Sequence, residues 1–143
     1  MPTRSCTSAR WEAQMIESAK KRVLILDDAG LVRLYYREAL ERAGFDVDEA
    51  FNGVEALEKL LTTPVDLLVV DVNMTQMDGL TFLRALRRRS TDIAGIAALV
   101  TSTESAPEDI EAAWAAGANF YLVKPLSQDA LVRHAIMLSG GGA

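Results

Sequence analysis

Four short segments constrain this chain more than anything else in it: Leu-Asp27-Asp28, Val-Val-Asp71-Val-Asn73, Leu-Val-Thr101-Ser102 and Val-Lys124-Pro125. In each, an apolar run rich in Val, Ile or Leu stops at a group able to handle phosphate or a hard cation. Runs of this kind, apolar without alternation, read as strands of a parallel sheet buried on both faces. Ligands bind such sheets at the carboxyl ends of the strands. The two carboxylates of the first segment, Asp71, the Thr101 hydroxyl and the Lys124 ammonium should therefore converge on one pocket, though they lie far apart in sequence.

Between the runs, the pattern alternates strand and helix. A first strand at Val23 to Leu26 precedes a helix over Leu31 to Ala43, which Gly44 ends with a left-handed cap. A strand at Phe45 to Ala50 leads to Asn52, an N-cap with Glu55 at the capping-box spacing; its helix runs to about Leu61, where Pro64 prevents continuation. The most apolar strand, Leu67 to Val70, should be central, and the loop from Asn73 to Gly79 opens a helix reaching about Arg89. A fourth strand spans Ile96 to Val100. Pro107 suits the first turn of the next helix and Gly117 ends it. Phe120 to Val123 is the fifth strand, and a last helix covers Gln128 to Leu138.

Strands alternating with helices predict an α/β fold: a three-layer sandwich on a five-stranded parallel sheet in the order 2-1-3-4-5, of the doubly wound, flavodoxin-like kind. The expected division is a flexible tail or short helix at residues 1–20, one domain at 21–139 and a flexible end at 140–143. Trp11 and Met15 would share a face of any helix in the tail.

At 143 residues the chain can bury a substantial core in one domain. No apolar stretch approaches the ~20 residues that cross a bilayer, and residues 1–20 lack the continuous apolar core of a secretory signal. The lone Cys6 can form no internal disulfide, which suits a reducing cytoplasm. Residues 1–22 hold five basic and two acidic groups, so residues 23–143 carry −8 of the overall −5. That balance argues against nonspecific nucleic-acid binding. The basic cluster Arg84, Arg87, Arg88 and Arg89 reads as a solvated helix end, where cations favour the dipole.

Asp27, Asp28 and Asp71 brought together would repel one another unless a cation intervened. Mg²⁺ fits such a site, because it takes oxygen ligands and completes its shell with water and substrate phosphate. A carboxylate beside the metal can attack phosphorus and become an acyl phosphate, a step that rests on positioning and charge neutralisation. Lys124 supplies positive charge to phosphoryl oxygens and Thr101 a hydroxyl. A cis Lys124-Pro125 bond would aim the lysine inward.

These residues resemble the response-regulator receiver domains of bacterial two-component signalling over residues 21–139. The likeness rests on Asp27-Asp28, the block Asp71-Val-Asn-Met-Thr-Gln-Met-Asp-Gly79, Thr101 and Lys124-Pro125. It implies a phosphoacceptor signalling protein, rather than a conventional enzyme, that catalyses its own phosphorylation and dephosphorylation. Asp71 is then the phosphoacceptor, Asp27 and Asp28 organise Mg²⁺, the Asn73 backbone carbonyl completes the metal shell, and Lys124 and Thr101 bind the phosphoryl group. The resemblance also makes Thr101 and Tyr121 the switch pair, with the bland alternative of a Tyr121 at the sheet edge with its hydroxyl in water. It makes Asn73 and Thr103 tuners of the phosphate's lifetime. Thr75 departs from the family's Pro and leaves the loop more backbone freedom. Small Ser102 should leave the pocket accessible, Trp114 reads as core, and His134 as a helix-end cation or surface residue.

The implied partners are a sensor histidine kinase or histidine phosphotransfer protein as donor and a downstream target protein, with no nucleic acid or membrane, in the cytoplasm. The absence of an output domain suggests a stand-alone switch that binds its target through the last two helices and strand five. A relay intermediate passing phosphate to a phosphotransfer histidine is the alternative. A phosphatase of the haloacid dehalogenase type would need an acid where Asn73 stands. A receiver-like module that never takes phosphate would need no such complete set of groups.

Overall fold

The computed structural model describes residues 20–89 and 92–140. The expectations for the tail at residues 1–20, apart from Lys20, and for residues 141–143 lie outside the described residues. Five strands, β1 (Arg22–Leu26), β2 (Asp46–Ala50), β3 (Leu67–Asp71), β4 (Ala97–Ser102) and β5 (Phe120–Val123), alternate with five helices. These are α1 (Gly30–Arg42), α2 (Gly53–Thr62), α3 (Gly79–Arg87), α4 (Pro107–Ala116) and α5 (Gln128–Leu138), with a short 3₁₀ turn at Asp92–Gly95. All strand pairs are parallel and the order is β2-β1-β3-β4-β5. The sandwich inferred from the alternation of runs is the one observed.

β3 is central and buried at every residue. Along each strand successive side chains take opposite faces, and the core divides accordingly. One layer holds Leu24, Leu26, Leu68, Val70, Ala98 and Val100. The other holds Val23, Ile25, Leu67, Val69 and Leu99, together with Tyr36 and Leu40 of α1 and Leu131 and Ala135 of α5. Each fully buried Leu, Ile or Val adds about 1.5–3 kcal/mol relative to exposure, so both layers anchor the strand ends where the polar groups sit.

Local signals set the helix boundaries. Asn52 accepts from the Glu55 N–H at 2.8 Å and the Glu55 carboxylate reaches back to the Phe51 N–H at 3.0 Å, which closes the expected capping arrangement. The Asp78 and Ser127 side chains likewise accept from the Thr81 and Ala130 N–H groups at the starts of α3 and α5. Gly44, at φ 98°, follows the C-cap of α1, and the Phe45 N–H returns to the Leu40 carbonyl at 3.0 Å. β3 and β4 run past their expected ends to include Asp71, Thr101 and Ser102, because the ladder continues: Val72 N–H bonds the Thr101 carbonyl at 2.9 Å and Lys124 N–H the Ser102 carbonyl at 2.7 Å. α3 stops at Arg87, two residues short of expectation, where the Arg88 N–H turns to the Ala85 carbonyl at 3.3 Å and the Arg89 N–H to the Leu86 carbonyl at 3.1 Å.

The arginine cluster is the clearest correction. Arg84, Arg88 and Arg89 are exposed, but Arg87 is half-buried. Its guanidinium donates to the carbonyls of Ala94 (2.7 Å), Ile96 (2.6 Å) and Gly117 (2.8 and 3.1 Å) and to Asn119 Oδ1 (3.1 Å). Two chain segments, before β4 and before β5, hang on one fork of donors, which is what a planar guanidinium offers and a solvated helix-end cation does not need. Gly117, at φ 106°, completes the arrangement, since a Cβ there would lie 2.7 Å from Arg87 Cγ.

Candidate functional site

Strand ends and alternation together build the site. Asp27 follows β1, Asp71 ends β3, and Thr101 is paired directly with Asp71 in the β3–β4 register. Two residues behind them on the same face stand Ile25, Val69 and Leu99, so all three point toward the α1–α5 side. Lys124 follows β5, and the Lys124-Pro125 bond is cis, as suggested.

Asp27, Asp28 and Asp71 each offer a carboxylate oxygen, and these lie within 4.8 Å of one another. Asp27 and Asp71 are buried and Asp28 is exposed. Lys124 Nζ sits between the buried pair, donating to Asp27 Oδ2 at 3.2 Å and standing 3.0 Å from Asp71 Oδ1. The latter contact is an ion pair without hydrogen-bond geometry: Asp71 Oδ1 and the Thr101 hydroxyl are the two buried side-chain atoms, among the described residues, that make no hydrogen bond. Burial, and then the neighbouring Asp27 charge, raises the Asp71 pKa against the pull of Lys124. Burial alone would lower the Lys124 pKa, but the Asp71 contact and the Asp27 charge overrule it and raise it. One ammonium thus serves a surplus of carboxylates. The donor set is all oxygen, and it fits a hard divalent cation.

The loops around this pocket are tied to it. Asn73 Oδ1 accepts from Ser102 Oγ at 3.3 Å, Thr103 Oγ1 at 3.4 Å and Thr103 N–H at 3.5 Å, bridging the β3 and β4 loops. Ser102 is wholly buried on the sheet face away from Asp71 and accepts from the Glu104 N–H at 3.0 Å. These two bonds tie the loop after β4 to Asn73. Thr75 uses the N–H that a proline would lack to hold Asp28 Oδ2 at 3.0 Å. Gly79 packs onto Asp71 itself: a Cβ there would lie 2.2 Å from the Asp71 carbonyl oxygen and 2.7 Å from Val70 Cγ1.

Tyr121 is buried in the layer with Ala113, Ala116 and Ala118, and its hydroxyl donates to the Glu104 carbonyl at 2.8 Å. A hydroxyl left in water is therefore not what the structure holds. Trp114 is 48% exposed rather than core, and meets Phe120 edge-on at 6.5 Å. His134 is neither at a helix end nor fully exposed; it lies within α5, its Nδ1 2.6 Å from the Ala130 carbonyl and its ring 4.6 Å from that of Phe120.

Sequence reasoning missed Tyr36. The residue is 3% exposed, and burial, the largest influence on its phenol, raises the pKa. A tyrosine among the core-facing residues of α1, beside Ala39 and Leu40, was the available signal, but helical spacing cannot show which strand ends the ring reaches.

Among the described residues no helix is long and apolar enough to cross a membrane. Residues 23–136 match the family described as response regulator receiver domain. A 128-residue stretch is 37% identical to the sensor protein EvgS of Escherichia coli K12, covering 88% of this chain and 10% of that protein. The transcriptional regulatory protein PrrA of Mycobacterium leprae is 38% identical over 104 residues, 73% of this chain and 43% of PrrA. The chain spans less than half the length of these curated relatives. Among solved structures, the chemotaxis protein CheY4 of Vibrio cholerae superposes with a TM-score of 0.79 at 33% identity, over 84% of this chain and 99% of that one.

Proposed function

The chain belongs to the response regulator receiver domains, and from that premise we propose that it is a switch taking a phosphoryl group onto Asp71 from a partner's phosphohistidine. The observation that carries this reading is the Lys124 ammonium set between buried Asp27 and Asp71, with one Asp71 oxygen left without a hydrogen bond. In the transfer, an Asp71 carboxylate oxygen forms a bond to phosphorus while the phosphorus–nitrogen bond of the donor breaks, its electron pair staying with the imidazole. Lys124 stands against the phosphoryl oxygens and Thr101 offers them its hydroxyl. Asp27, Asp28 and Asp71 would hold Mg²⁺, with the Asn73 backbone carbonyl as a further ligand. When bound, the metal neutralises charge on the phosphoryl group.

Asn73 and Thr103, joined across the pocket mouth, govern how water reaches the acyl phosphate and hence its lifetime. Thr101 and Tyr121 act as the switch pair, and the readout is the face of α4, β5 and α5, where Trp114, Val123 and Met137 are exposed. Leu31, Leu34 and Tyr35, exposed on α1 beside the site, suit the apolar face of a donor helix. A cytoplasmic location and binding to a target protein belong to the same reading. The likeness to a stretch of a sensor protein favours one second reading, a relay step that hands the phosphate on to a histidine.

Intact mass after incubation with Mg²⁺ and acetyl phosphate tests the proposal. One added phosphoryl group, absent without Mg²⁺ and absent in Asp71→Asn, is the expected result. An unmodified wild-type mass under conditions that trap acyl phosphates overturns it.

A further inference from the structure

The three acids of the site are not held alike. Asp27 and Asp71 are buried, and Lys124 Nζ stands 3.2 Å from Asp27 Oδ2 and 3.0 Å from Asp71 Oδ1. The Ala29 N–H also donates to Asp27 Oδ1 at 2.9 Å. Asp28 is exposed, and among the described residues no ion pair includes it. Its carboxylate is held by one contact, the Thr75 N–H, which donates to Oδ2 at 3.0 Å.

An exposed aspartate held by nothing samples several rotamers, and a ligand that needs one of them meets an entropic cost. The loop presenting the Thr75 N–H is itself folded back on its strand. The Met74 and Gly79 N–H groups both reach the Val72 carbonyl at 3.1 Å, directly after the strand that ends in Asp71. The donor that fixes Asp28 is therefore anchored to the strand carrying a second carboxylate of the cluster. An ionised carboxylate has about four lone-pair sites, so Oδ2 can keep this amide while the group also binds a cation. Being main chain, the donor exists with every residue at position 75 except proline.

We propose that the Thr75 N–H is a positioning group for Mg²⁺ binding: it fixes the Asp28 carboxylate beside Asp27 and Asp71, so the cation meets three acids already in place. The inference rests on these three acids being the metal site. Hydrogen-bond partners behind a metal's ligands change affinity by about ten- to a hundredfold. For one exposed contact the expected effect is roughly three- to tenfold.

Calorimetric titration with Mg²⁺ tests it. Thr75→Pro should bind roughly three- to tenfold more weakly, while Thr75→Ala, which keeps the N–H, should bind as the wild type does. In an Asp28→Ala background the proline should add no further loss, because the carboxylate it acts through is gone. Wild-type affinity in Thr75→Pro, an equal loss in Thr75→Ala, or an equal loss in the Asp28→Ala background overturns the proposal while leaving the metal site standing. A wild-type chain that takes up no Mg²⁺ brings down the metal site and this inference with it. A second measurement needs no substitution. Coupling is reciprocal, so if the amide tightens Mg²⁺ binding, saturating Mg²⁺ must slow solvent exchange of the Thr75 amide proton by the same factor. An amide proton that exchanges as fast with Mg²⁺ as without it, or faster, overturns the proposal.

Discussion

Replacing Lys124 with Met tests the electrostatics of the site without emptying it, since Met keeps most of the side-chain bulk. The ammonium lies 3.2 Å from Asp27 Oδ2 and 3.0 Å from Asp71 Oδ1. At an effective dielectric near 20, each contact amounts to about 5 kcal/mol gross. Desolvating the ammonium and crowding the two carboxylates take back several kcal/mol. What remains after truncation is two buried carboxylates without a cation, a situation that costs roughly 3–5 kcal/mol. The lysine side chain is 18% exposed, which admits some water and places the expected loss near the lower end. Urea unfolding at neutral pH without divalent metal should therefore show Lys124→Met less stable by about 3 kcal/mol. The deficit should shrink on acidification, because protonating Asp71 removes one of the stranded charges. It should also shrink with millimolar Mg²⁺, and on adding Asp71→Asn to the same chain. A variant as stable as wild type at neutral pH, or a deficit indifferent to pH, Mg²⁺ and the second substitution, refutes the view that one ammonium holds this acid cluster together.

Three further outcomes follow from particular contacts. Asp71 has a raised folded pKa, so its contribution to stability is present below the unfolded value and is lost as pH rises through the folded one. Asp71→Asn without metal should thus be more stable than wild type at neutral pH, with the gap closing toward acid in pH-resolved thermal unfolding. Gly79→Ala drives a methyl into the Asp71 carbonyl and Val70, at 2.2 and 2.7 Å. It should cost about 1–3 kcal/mol or more and slow acetyl-phosphate labelling of Asp71, read by intact mass. Arg87→Met strands the Ala94, Ile96 and Gly117 carbonyls and should lower unfolding free energy by about 2–4 kcal/mol, while labelling of the folded protein stays close to wild type.

Sequence alone carried the architecture because its signals are local and period-based. Runs buried on both faces can only be inner strands of a covered parallel sheet, and the rule that ligands gather at strand ends places Asp27, Asp71, Thr101 and Lys124 together before any coordinate is known. Asn52 and Gly44 announce helix ends through chemistry within a few residues of themselves. What the sequence could not decide is which side chains meet across the fold. Arg87 looks like its three neighbouring arginines until Ala94, Ile96 and Gly117 fold around it. Ser102 and Thr101 are adjacent in the chain, yet alternation sends one to a loop tie and the other to the acid pocket. Tyr36 is one more core residue of α1 until the folded chain buries its ring in the layer that holds Val69 and Leu99. Periodicity fixes the face a residue takes, because it follows from backbone geometry. Partners are set by how separate elements pack, and that is decided only when the whole chain is folded.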